Sequence, residues 1–180
     1  MKRAVCGKCA RPEKTCICHL MCNISNEVVV VVLQHKSEQK QSKGTVPLIM
    51  GSLSKCALFV GEDFTTNTEL IALLAQHQNA TALLYPGEKA SAINSKVHRD
   101  ISCIIVLDGT WKKAFRLYIT NPFLKEFPQI TLSGTYNGLY QIRKTDKENA
   151  LSTLEATSYA LGELEGDQEK YQPLISRFVD

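Results

Sequence analysis

Two apolar runs, "EVVVVVLQ" at 27–34 and "ISCIIVLDG" at 101–109, limit the possible folds most tightly. Neither alternates polar with apolar residues, as a strand with one wet face would, and β-branched side chains crowd both. Strands that read this way are covered on both faces, which is the situation in a parallel sheet flanked by helices. Neither run is long enough to span a bilayer. At 180 residues the chain can bury a sizeable core without disulfide staples, and one main domain is expected.

The rest of the chain alternates around these runs. Further strands are expected at 57–61 ("ALFVG"), 80–87 ("ATALLYPG") and 128–132 ("PQITL"). Helices are expected at 46–56 with Pro47 in the first turn, and at 67–78 capped by Asn67 or Thr68. Two more should run over 110–119, stopped by Asn121-Pro122, and over 149–166. The segment 137–144 reads as irregular or weakly extended, and the last residues as a tail. This order predicts an α/β fold, a mostly parallel sheet with helices on both faces. In such folds ligands bind at the carboxyl ends of the strands, so the turns "QHKSE", "YPGEK" and "LDGTW", with "YQIRK", are expected to share one edge.

Five of the seven cysteines fall within the first twenty-two residues. Cys6 and Cys9, then Cys16 and Cys18, form two close pairs that can supply four thiolates to a tetrahedral zinc ion without a large core. His19 and Cys22 are near enough to compete for the fourth position. Disulfides are disfavoured if the chain works in a reducing cytosol, and a redox pair would normally stand at a strand-to-helix junction. The N-terminus is charged and has no apolar signal stretch, so a cytoplasmic location is expected. Lys2, Arg3, Lys8, Arg11 and Lys14 face only Glu13 in this region, although the net charge is just +3. That local excess suits contact with phosphate. Cys56 and Cys103 lie in apolar strings and read as core residues.

"LDGTW" contains the only tryptophan. Gly109 permits a sharp turn out of the strand. Asp108 can cap the next helix, accept a proton or bind a cation. Thr110 sits where a helix N-terminus favours negative charge. Trp111 can stack on a base, or can simply be core. Ser152 or Thr153 can cap the last long helix, with Glu155 in its first turn. Arg143 can hold a carboxylate or phosphate in a bidentate fashion. No glycine-rich phosphate loop is present.

Taken in order, the CxxC…CxC knuckle, "LQH" with a downstream Glu, "LLYPG", "LDGTW", "YQIRK" and "LSTLEA" resemble the DTW-domain family, named for an Asp-x-Thr-Trp motif that here is Asp108-Gly109-Thr110-Trp111. The resemblance runs from about Cys6 to about Gly166. It implies a SPOUT-like fold with a C-terminal trefoil knot, so that 1–24 form a zinc knuckle and 25–180 the catalytic domain. It also implies transfer of the 3-amino-3-carboxypropyl group of S-adenosylmethionine (SAM) to N3 of a tRNA uridine, with methylthioadenosine as by-product.

On this resemblance Asp108, Thr110 and Trp111 are the expected catalytic residues, with Asp108 either the base for N3 or the partner of the SAM amino group. Backbone groups at Leu84, Leu107 and Ile142 would seat the adenine, beside Pro86, Gly87 and Gln141. Arg143 would take the methionine carboxylate, and Ser152, Thr153 and Glu155 would complete the SAM pocket. Knuckle cations with Lys112, Lys113 and Arg116 would grip tRNA. Monomer and homodimer both remain open. The competing readings are a SAM-dependent RNA methyltransferase and a non-catalytic zinc-knuckle RNA-binding protein.

Overall fold

The structure is a computed structural model that describes residues 3–41, 43–136 and 151–179. Six strands form one sheet: β1 (Val29–His35), β2 (Cys56–Gly61), β3 (Thr81–Leu84), β4 (Ser91–Ala92), β5 (Cys103–Asp108) and β6 (Gln129–Thr131). Their order is β2-β1-β5-β3-β6-β4, and every neighbouring pair is parallel. The runs at 27–34 and 101–109 are therefore adjacent interior strands, β1 and β5. All six residues of β5 are buried, as are all but the first of the seven in β1.

Alternate side chains of these strands feed two cores. Val30, Val32, Ile104 and Val106 join one cluster with Ile49, Leu154, Leu161 and Leu174. Val31, Leu33, Ile105 and Leu107 join another with Leu70, Ala114, Leu117 and Leu124. The first cluster belongs to helices α1 (Val46–Ser52), α4 (Thr153–Glu165) and α5 (Gln172–Val179); the second belongs to α2 (Thr68–Gln76) and α3 (Trp111–Thr120). Each face thus removes a continuous apolar layer from water, the dominant favourable term in folding.

The helix ends follow local chemistry. Asn67 accepts from the Leu70 N–H at 3.0 Å, and Ser152 with Glu155 forms a reciprocal capping box. Gly166 closes α4 in the left-handed region (φ +67°), where a side chain would be strained. Helix α1 starts at the expected place but ends at Ser52, because Leu53 turns extended before β2. The two-residue β4 is too short to announce itself as a pattern. Helix α5 corrects the expectation of a plain tail: Leu174 and Ile175 are buried beside Tyr171, and Pro173 stands in the first turn, where proline is tolerated. The expected irregular segment at 137–144 lies outside the described residues, as do the first two residues of the helix expected at 149–166.

Candidate functional site

Because β1, β3, β5 and β6 are parallel, their carboxyl ends open on one edge of the sheet. Register places Gln34 of β1 beside Asp108, the last residue of β5. Asp108 is buried, and both of its oxygens are engaged. Gln34 Nε2 donates to Oδ2 at 2.9 Å, and Thr153 Oγ1 donates to Oδ1 at 2.6 Å. A carboxylate has about four acceptor positions, so each oxygen keeps one for a further donor. Asp108 therefore joins the ends of two strands to the first turn of α4, which also supplies Ser152 and Glu155 through the capping box. Leu154 N–H donates to Thr45 Oγ1 at 3.3 Å and anchors the same turn to the start of α1.

On the opposite face, Thr110 rather than Asp108 caps the next helix, its Oγ1 accepting from Lys113 N–H at 3.3 Å. Trp111 is 43% exposed, so it is not the core residue that an apolar indole suggests. Gly109 is extended (φ 159°), and a Cβ there would meet Lys113 Cβ at 2.9 Å. Glycine is needed for that close approach. The segment after β1 folds over this helix start: Lys113 Nζ pairs with the buried Glu38 at 2.8 Å. His35 Nε2 lies 2.8 Å from Glu62 Oε1. Ser37 N–H donates to His35 Nδ1, which assigns the ring proton to Nε2, facing Glu62. Burial would raise the Glu62 carboxyl, but Lys36 and His35 outweigh it and hold the group below its usual range.

Of the expected SAM positions, Leu107 precedes Asp108 on β5, and Leu84 pairs with Val106 two residues earlier. Pro86 and Gly87 follow β3 at the same edge, with Gly87 near the Gln129 side chain. Thr153 touches Asp108 directly. Gln141, Ile142 and Arg143 lie outside the described residues. Gln34 is the residue the sequence reading passed over as a site member, despite quoting the "LQH" motif that contains it. Its signal was its place at the end of β1, but only the β1–β5 register turns that into a contact with Asp108.

The cysteines form a separate centre. Cys6 Sγ is 3.6 Å from Cys18 Sγ and 3.6 Å from Cys16 Sγ, and Cys9 Sγ is 3.8 Å from Cys16 Sγ. All four sulfurs lie within 4.8 Å of one another. Tetrahedral zinc with Zn–S of about 2.3 Å requires sulfurs about 3.8 Å apart, so the set fits that ion. His19 and Cys22 stand outside the group. The turn is local: Ala10 N–H donates to Cys6 O at 2.9 Å, and Ala10 adopts φ 58°. Backbone N–H groups of Cys9 and Lys8, with the Cys18 and Cys16 thiols, hold the Cys6 thiol down to about 6. Burial, then the neighbouring thiols, push Cys18 up to about 12. All four can ionise together only around a cation. By contrast, burial pushes the thiols of Cys56, half-buried against the core, and Cys103, inside it, up to about 12 and about 11.

The knuckle is packed on the main body. Cys9 and Ile17 share the buried cluster of Val30 and Leu154. Arg11 donates to Gly44 O at 2.9 Å, and Arg177 to Met21 O at 3.1 Å.

The family model described as the DTW domain matches residues 3–179. The chain is 30% identical to a protein named tRNA-uridine aminocarboxypropyltransferase 2 from Macaca fascicularis, over 97% of this chain and 61% of the relative. A protein of the same name from Drosophila melanogaster is 31% identical over 97% of this chain and 72% of its own. The Mus musculus protein of that name is 30% identical over 91% of this chain and 57% of its own. The chain thus spans about three fifths of the length of the macaque and mouse relatives. No solved structure matches. Among the described residues, no helix is long and apolar enough to cross a membrane.

Proposed function

The chain belongs to the DTW-domain family, and from that premise we propose that it is a tRNA-uridine aminocarboxypropyltransferase. The observation that carries this reading is Asp108, a buried carboxylate held by Gln34 and Thr153 at the carboxyl edge of a parallel sheet. Ligands of such sheets bind at that edge. The names of the relatives supply the reaction class.

In the proposed reaction, uridine N3 attacks the Cγ of the methionine part of SAM. The C–S bond breaks, methylthioadenosine leaves, and the N3 proton passes to a base. Asp108 is the proposed base, or else the partner of the SAM amino group; its remaining acceptor positions suit either role. The buried side chains around it exclude water and fix its orientation, so positioning carries much of the rate. Trp111, exposed at the helix start, would stack on the uracil. Leu84, Pro86, Gly87, Leu107, Gln141, Ile142, Arg143, Ser152, Thr153 and Glu155 remain the proposed SAM contacts. The four cysteines would hold structural zinc, with 1–24 as an appended knuckle, 25–180 as the catalytic domain and the cytoplasm as the workplace. The SPOUT-like trefoil knot belongs to the same proposal.

The test is to incubate the protein with SAM and unmodified tRNA and weigh the released nucleosides. The expected result is an aminocarboxypropyl gain on uridine that Asp108→Ala abolishes. A methyl gain would assign a methyltransferase instead. No gain, with no SAM binding, would leave an RNA-binding protein.

A further inference from the structure

Helix α3 carries an exposed feature that the transfer chemistry does not use. Phe115 is 55% exposed and Ile119 is 49% exposed, four and eight residues beyond Trp111. At 3.6 residues per turn, Trp111, Phe115, Ile119, Lys112 and Arg116 fall within an arc of about 140°. The opposite arc, with Ala114 and Leu117, is buried in the core. A helix that has already buried one apolar face normally shows water a polar one. This one shows a line of large apolar groups beside two exposed cations.

Charge selects the occupant. From Gly109 to Lys125 the sequence contains no acid, and it contains Lys112, Lys113, Arg116 and Lys125. Lys113 is held by Glu38, which leaves Lys112 and Arg116 exposed beside the stripe. A second copy docked helix to helix on this face would bring like charges together. A polyanion with flat apolar faces satisfies both features, and that is unpaired RNA: bases stack on exposed rings, and phosphates meet Lys and Arg. Spacing agrees, because residues four apart on a helix are about 6 Å apart along its axis. That separation is close to the longest step between neighbouring nucleotides of an extended strand.

We propose that the outer face of α3 docks single-stranded RNA, with Phe115 and Ile119 seating two successive bases on one side of the target nucleotide and Lys112 and Arg116 holding their phosphates. This rests on the tRNA reading above and specifies how the substrate approaches: along α3 and toward its N-terminus, where Trp111 and Asp108 stand. Duplex RNA has no free base faces and gains nothing from the stripe.

The test compares wild type with Phe115→Ala/Ile119→Ala in filter binding, using an unmodified tRNA transcript and a blunt RNA duplex as probes. Removing a stacking partner costs about 1–3 kcal/mol per base, so tRNA affinity should fall by about tenfold or more. Duplex affinity and SAM affinity should stay unchanged, and Phe115→Trp should bind tRNA at least as well as wild type. Equal tRNA affinity in wild type and double variant would overturn the proposal while leaving the transferase reading intact. So would light scattering that shows a wild-type dimer and a monomeric double variant, because the stripe would then be a subunit interface. If wild-type protein binds no tRNA, the transferase reading falls, and this proposal falls with it.

Discussion

The cysteine knuckle and the Asp108 turn are built over very different spans of chain. Four sulfurs converge from residues 6 to 18, across separations of 7 to 12 positions. Asp108 instead meets Gln34 from 74 positions away and Thr153 from 45. Closing short loops costs little entropy, and metal binding can supply the rest, so the knuckle depends mainly on its own spacing and an ion. The Asp108 site depends on the whole sheet being in register. One centre should therefore fail by losing its metal, and the other by losing alignment without losing the fold.

The largest expected effect follows from removing a buried sulfur. Cys9→Ser should lose about one equivalent of zinc by elemental analysis and lower Tm by more than about 5 °C, because a structural zinc contributes well beyond the 1 kcal/mol that corresponds to about 2–4 °C at this size. A metal-free wild type with unchanged melting would erase the contrast. The same centre should release zinc on acidification. Protons compete with the ion for the thiolates, so the ligands are lost as pH falls into the acid range. A chromogenic chelator followed through that range reads the loss.

At the other centre, Asp108→Asn should cut kcat by about 10²- to 10⁴-fold, the usual worth of a general base, while Tm moves little. Should Tm collapse instead, Asp108 would be a fold-holding residue and the two centres would fail in the same way. Thr153→Val removes one of the two hydrogen bonds that orient the carboxylate. A bond to a charged group contributes about 1.5–3 kcal/mol, so activity should fall by roughly tenfold or more, read as kcat against KM.

A clamp in the main body, at the opposite end of β1 from Asp108, is smaller in effect. Glu165 accepts from Glu27 N–H at 2.8 Å, Val28 N–H at 3.1 Å, Lys170 at 2.9 Å and Tyr171 at 2.6 Å, clamping the entry to β1 against the end of α4. Burial alone would raise this carboxyl, but these donors outweigh it and hold it below the usual range. Its stabilisation is therefore present above the unfolded carboxylate pKa and is lost as pH falls through the lower folded value. Glu165→Gln should cost about 1–3 kcal/mol by denaturant melting at neutral pH, with the difference from wild type shrinking in acid. The smallest effect belongs to Gly166→Ala. It meets no neighbour but must hold φ +67°, so it should cost about 1 kcal/mol, or about 2–4 °C in Tm.

What could be read from the sequence alone was whatever is encoded at short range. The β-branched runs of β1 and β5, the helix starts at Asn67-Thr68 and Ser152-Thr153, the Asn121-Pro122 stop and the paired cysteines each act within about a dozen residues. Physical chemistry translates such patterns directly into strands, helix starts and ligand spacing. Tertiary structure alone decided the rest. Gln34 became a partner of Asp108 only through the β1–β5 register, because a shift of one residue would turn its side chain to the other face. Trp111 stayed exposed because Ala114 and Leu117, not the indole, face the core. Helix α5 formed because Leu174 and Ile175 found a surface to cover: an apolar face is stabilised only where something distant in the chain is there to meet it, and Pro173 in the first turn costs no helical hydrogen bond.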